Sequence, residues 1–78
     1  MKDLLEYLAR GLVETPEAVE VTEHEEDDGT VILELAVDTE DYGNVIGRGG
    51  RTASALRTII KSAAVKDRRR VFVDIVDS

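Results

Sequence analysis

Seventy-eight residues, 42% of them hydrophobic, suffice for one small core and leave no room for a second. The lack of cysteine excludes disulfides, zinc ribbons, iron–sulfur clusters and thiol nucleophiles, and a lone histidine, His24, excludes a His–His metal pair. The net charge of −7 divides unevenly: residues 1–41 carry −12 and residues 42–78 carry +5, which suits either a polyanion partner or a merely solvated acidic face.

Leu4, Leu5, Leu8 and Leu12 set one apolar stripe on an opening helix. Thr15-Pro16 ends it, because the residue before a proline is pushed out of the helical region. From Ala18 the period changes to two, Val19 and Val21 alternating with Glu20 and Thr22, as in a strand with one wet face. Asp28-Gly29 signals a tight hairpin turn in which both residues tolerate positive φ. The next strand, Thr30 to Val37, places Val31, Leu33, Leu35 and Val37 on one face.

Asp38 and Thr39 offer an N-cap, and Glu40 and Asp41 suit the positive end of the helix Glu40–Ile46. Gly47-Arg48-Gly49-Gly50 follows, then a longer helix from Arg51 to Val65 with Leu56, Ile59, Ile60 and Ala63 as its stripe. Ile59 and Ile60 cannot both point deepest into a core, so one of them is available for a dimer contact. Lys66 to Arg70 reads as a basic loop and Val71 to Val76 as the last strand.

The order is therefore α-β-β-α-α-β, an α+β fold. The first two strands pair antiparallel, and the long crossover favours parallel pairing of the second and third. Helices cover one sheet face, while Glu20, Thr22, His24, Glu34 and Asp74 mark the other as solvated. Ile32, Phe72 and Val76 fall on that second face as a small satellite cluster or a docking surface. In the run Glu23 to Asp28 the strand period turns His24 away from Glu23 and Glu25, so no metal site is expected; the acids guard an edge strand. No apolar run approaches the ~20 residues of a membrane span and no signal-peptide layout opens the chain. A soluble, cytoplasmic protein with no membrane partner is the expectation.

The distinctive chemistry lies in Val45-Ile46-Gly47-Arg48-Gly49-Gly50-Arg51. A glycine-rich loop opening a helix presents free N–H groups and the positive end of the helix dipole, both suited to phosphate or another anion. Arg48, Arg51, Arg57 and Lys61 add charge beside the loop and along the helix. A tight helix–helix turn with solvated arginines satisfies the same residues. A Walker A loop is excluded, for no Gly-Lys pair exists and a helix rather than a strand precedes the loop. A dinucleotide fingerprint fails at Thr52, where its third glycine belongs.

The stretch Asp41 to Arg51, with Val-Ile-Gly-Arg-Gly-Gly at its centre, resembles the signature of a KH domain, and the element order resembles the type II arrangement. The likeness spans nearly the whole chain as a single KH domain over residues 1–78, closest to the small stand-alone bacterial KH proteins of the KhpA type. The resemblance implies a three-stranded mixed sheet with helices packed on one face. It also implies single-stranded RNA binding, in which the loop clamps the backbone of about four nucleotides while the bases lie in a narrow apolar groove. Gly47 and Gly50 then admit the phosphates, Arg48 and Gly49 fill the variable loop positions, and Val45 and Ile46 are candidates for the groove wall, with Val45 equally suited to the core. Arg51 and Arg57 supply charge, and the loop before the last strand, with Lys66, Arg68, Arg69 and Arg70, forms the opposite bank.

Asn44 stands where many relatives carry a basic residue, which lowers the expected affinity. With only Tyr7, Tyr42 and Phe72 as aromatics, a base-stacking platform of the RRM or OB type is not expected. The implied role is an RNA chaperone or post-transcriptional regulator, without enzymatic activity, cofactor or metal. The implied partners are single-stranded RNA and either a second copy or a larger KH protein of the KhpB (Jag/EloR) type, since a second groove raises affinity by effective concentration. Two other classes fit less well: a protein-only adaptor with an inactive groove, and a helix-turn-helix DNA binder whose reading helix lacks Asn or Gln.

Overall fold

Helix α1 (Lys2–Arg10) buries Leu5 and Ala9 and half-buries Leu4 and Leu8 in the structure, a computed structural model that describes residues 1–77. It stops four residues before the expected end. Gly11, a poor helix former, closes it with its N–H on the Tyr7 carbonyl oxygen, and Leu12 beyond it is 44% exposed. The N–H groups of Glu14 and Thr15, which a longer helix would have used, are instead donated to the carboxylate of Asp41. Pro16 then opens a 3₁₀ turn, Pro16–Ala18, at the position where its missing N–H is not needed.

Strand β1 (Glu20–Glu25) pairs antiparallel with β2 (Val31–Val37), with Val21 opposite Leu35 and Glu25 opposite Val31. The connection is longer than a two-residue turn. Glu26 N–H still donates to Thr30 O at 2.8 Å, leaving Asp27, Asp28 and Gly29 as the loop, and only Gly29 takes a positive φ, of 86°. Asp28 serves through its side chain instead: its carboxylate accepts the Thr30 N–H at 2.9 Å, and that bond holds its pKa below the usual aspartate value.

Helix α2 (Thr39–Ile46) is capped by Asp38, whose carboxylate accepts the Glu40 N–H at 2.9 Å. Helix α3 (Arg51–Lys66) leads to β3 (Val71–Asp77), which pairs parallel with β2, Leu33 opposite Val73. The sheet order is β1-β2-β3, so the fold is α+β with a mixed three-stranded sheet in the order α-β-β-α-α-β.

The alternating inward residues of the strands meet the helices in one core in which Leu5, Leu33, Leu35, Val37, Val45 and Ile60 are fully buried. From α3 the core takes Ala53, Leu56, Ile60 and Ala64, a stripe of three- and four-residue steps. The expected stripe therefore shifts by one: Ile59 lies about 100° away from Ile60 around the axis and is 44% exposed, and Ala64 rather than Ala63 is buried. On the outer sheet face Glu20, Thr22, His24 and Asp74 are exposed, while Ile32 stands opposite Phe72 and Ala36 opposite Val76. Among the described residues, no helix is long and apolar enough to cross a membrane.

Candidate nucleic-acid interface

The joint between α2 and α3 is built on left-handed backbone. Gly47 closes α2 with its N–H on Gly43 O at 2.8 Å and turns the chain at φ 77°, ψ 168°, a region open only to glycine. A Cβ there would collide with the Thr52 hydroxyl and lie 2.8 Å from Thr52 Cβ and 2.9 Å from the Thr52 nitrogen. Gly50 N–H returns to Gly47 O at 3.1 Å, and Gly49 and Gly50 follow at φ 65° and 77° with open space where a side chain would stand.

Gly50 is the N-cap of α3 and has no side chain to offer, so the helix begins without a side-chain cap on its first N–H groups. The Arg51 N–H is taken by the Arg48 carbonyl oxygen in a 3₁₀ turn, Arg48–Gly50, and the positive end of the helix dipole lies beside the loop, where Arg48 and Arg51 are exposed. A shallow hollow of about 530 Å³ runs from Gly49 and Gly50 along the outer side of α3, past Arg51, Ser54 and Thr58 to Ile59. A hollow of similar size on α1 is lined by Asp3, Glu6 and Arg10, and because Arg10 is paired with Glu6 its balance is acidic, the wrong sign for a polyanion.

Of the residues singled out from the sequence, Ile46 to Arg51 are contiguous at this joint, with Ile46 half-buried against the core. Val45 is fully buried, so it supports the joint from beneath and offers no surface to a ligand. Arg57 sits two turns along α3, on the flank toward β3, and its Nε donates to the Val73 carbonyl oxygen at 3.2 Å. It thereby bridges the seam between helix and edge strand.

Arg68 and Arg69 are not near the glycines. They follow the other end of α3, about 24 Å along its axis, beside the acidic hairpin. Arg69 pairs with Glu25 at 2.8 Å, Arg70 faces Asp28, and Arg68 holds a left-handed φ of 56°.

Asp41 was legible only as a residue suited to a helix N-terminus. The structure buries it to 2% exposure, its two carboxylate oxygens accepting the N–H groups of Glu14 and Thr15 at 3.1 and 3.0 Å. It thus ties the segment after α1 to the helix that carries the glycine loop. Its partners lie 26 and 27 residues away, beyond any local sequence pattern. Thr52, which fills the space beneath Gly47, was likewise invisible as a partner.

Comparison with known proteins agrees with this geometry. The chain is 50% identical over 78 residues to the RNA-binding protein KhpA of Halalkalibacterium halodurans, covering 99% of this chain and all of that one. It is 51% identical over 76 residues to the RNA-binding protein KhpA of Clostridium acetobutylicum, covering 97% of this chain and all of the relative. Among solved structures, Era in complex with MgGDPNP and nucleotides 1506–1542 of 16S ribosomal RNA has the same fold over 97% of this chain, with a TM-score of 0.68 and 16% identity. This chain spans 29% of Era's length. With residues 2–75 matching the KhpA/KhpB KH-domain model and whole-length relatives at half identity, the chain belongs to the KhpA/KhpB family of KH domains.

Proposed function

We propose that this chain binds single-stranded RNA, with the Gly47–Gly50 loop holding the phosphate backbone, and acts as an RNA chaperone or post-transcriptional regulator. One observation carries the reading: a helix N-terminus without a side-chain cap behind a loop of left-handed glycines, flanked by exposed Arg48 and Arg51. The loop's bare backbone admits a phosphate to hydrogen-bond distance, and the two arginines neutralise its charge. Ile46 forms the apolar wall, and Arg57 continues the positive track along α3. Arg68 and Arg69 contribute less, because they stand at the far end of the helix and Arg69 shares its charge with Glu25.

The names of the whole-length relatives, RNA-binding proteins both, support a binding module; our reading places it in the cytoplasm and gives it no enzymatic activity. The same proposal includes association with a second copy or with a larger KH protein of the KhpB type. Ile59, 44% exposed on the outer side of α3, is the contact that such a partner would cover.

The test is RNA binding by wild type and the Arg48→Asp/Gly49→Asp double variant across a salt series, with circular dichroism as the folding control. Aspartate tolerates the left-handed conformation at position 49 better than most residues, and no neighbour stands where its Cβ would go. The expected result is a folded variant without affinity, and a wild-type log K that falls with log salt by about 0.7 per phosphate contact. Equal binding by both proteins would move the site elsewhere. Binding by neither, with partner association retained, would favour the protein-only adaptor.

A further inference from the structure

Phe72 belongs to no part of the site described so far. It lies on edge strand β3, 46% exposed, and its only apolar cross-strand neighbour is Ile32. Burying a phenylalanine ring is among the larger hydrophobic gains open to a side chain, so a ring left half in water at a sheet edge is informative. Lys61 reaches across from α3 and places its ammonium 5.9 Å from the ring centre, at the outer limit of a cation–π contact. The ring face is thus turned toward the seam between α3 and β3. Beside it opens a hollow of about 220 Å³, lined by Lys61, Val65, Arg69, Arg70 and Phe72. That is less than a drug-sized pocket and suits a single planar ring.

The side chains lining the hollow carry one sign of charge, although beyond it Arg69 pairs with Glu25 and Arg70 faces Asp28. Lys61, Arg69 and Arg70 border the hollow, and no acid lines it. Along α3 the cations Arg57 and Lys61 are spaced four residues apart, and both reach β3, through Val73 and Phe72 respectively. From Gly50 to Lys61 the helix rises about 16 Å, a distance that an extended strand leaving the loop covers within a few nucleotides.

We propose that Phe72 and Lys61 form a second nucleotide subsite, in which one base of the RNA strand stacks on the Phe72 ring. Lys61, held only by its weak contact with the ring, turns to the adjoining phosphate as the base takes its place. Arg70 supplies the second cation. Stacking is tolerant of base identity, because every base has a π face, so the subsite adds length preference rather than sequence preference. This proposal rests on the RNA-binding reading above and extends it from the loop to the far end of the seam.

The experiment measures the affinity gained when an RNA of four nucleotides is lengthened to eight, using oligoadenylate and, separately, oligouridylate. Wild type, Phe72→Leu and Phe72→Tyr are compared, with circular dichroism on each. Leucine keeps an apolar contact for Ile32 without a ring, and tyrosine keeps the ring. Loss of about ten-fold of the length-dependent gain in Phe72→Leu, and its retention in Phe72→Tyr, is expected. An upfield shift of the Phe72 ring protons with the eight-mer, absent with the four-mer, is the direct signature. If wild type binds both lengths but the gain survives in Phe72→Leu, the subsite is overturned and the loop reading stands. If wild type binds neither length, the RNA reading itself fails.

Discussion

Three glycines in four positions look equivalent in the sequence, and the structure makes them unequal. Gly47 combines a φ, ψ pair that only glycine adopts with Thr52 packed where a Cβ would stand. Gly49 and Gly50 need only the left-handed region, which asparagine also enters, and face open space. Gly47→Ala is therefore expected to destabilise the fold by at least about 2 kcal/mol, from strain and the clash together. Gly50→Asn should lose no more than about 1 kcal/mol. Urea melts of the two variants check the ordering; equal losses would mean that Thr52 yields without resistance.

At the scale of elements, the site depends on how α2 is held. Its first turn is fixed from two sides, by the Asp38 cap and by the buried carboxylate of Asp41 on the chain leaving α1. Asp41→Ala leaves two part-buried N–H groups without an acceptor, and a loss of about 2–4 kcal/mol is expected. Asp41→Asn, which keeps one acceptor oxygen, should fall between that variant and wild type. Chemical denaturation measures both, and Asp41→Ala melting like wild type would show that water replaces the carboxylate freely. Local reading captured the Asp38 cap because a cap is a contact between near neighbours. It missed the role of Asp41 because the bond closes over more than twenty residues.

Over the whole molecule, the −12 and +5 halves of the chain are not two separate faces. The acids of the first half lie on α1 and the segment after it, on β1, the hairpin and the outer sheet face, and at the start of α2, and the hairpin folds back onto the basic loop, where Glu25 holds Arg69. The cations left to act are those at the glycine joint and along α3, with Arg70 beside Phe72. The exposed Ile59 on that helix supports a prediction at the same scale. Ile59→Asp should leave the monomer's stability within about 0.5 kcal/mol, as for a surface change, while sedimentation shows a loss of self-association. Ile60→Ala, one residue on, should lose about 2–5 kcal/mol from the core. A wild-type protein that sediments as a monomer at all concentrations would remove the dimer.

The sequence by itself determined the element order, the parallel return of the last strand and the position of the glycine loop. Each of these rests on local signals: hydrophobic period, caps, a crossover too long for a hairpin, and glycines between two helices. Tertiary structure decided what depends on contacts between distant residues. It ended α1 at Arg10 by giving Glu14 and Thr15 another acceptor, and it buried Val45 while leaving Ile59 in solvent. It sent Arg69 to an acidic partner at the far end of α3 and brought Lys61 over Phe72. A side chain's period along the chain tells which way it points, but only the packed fold decides what it meets there.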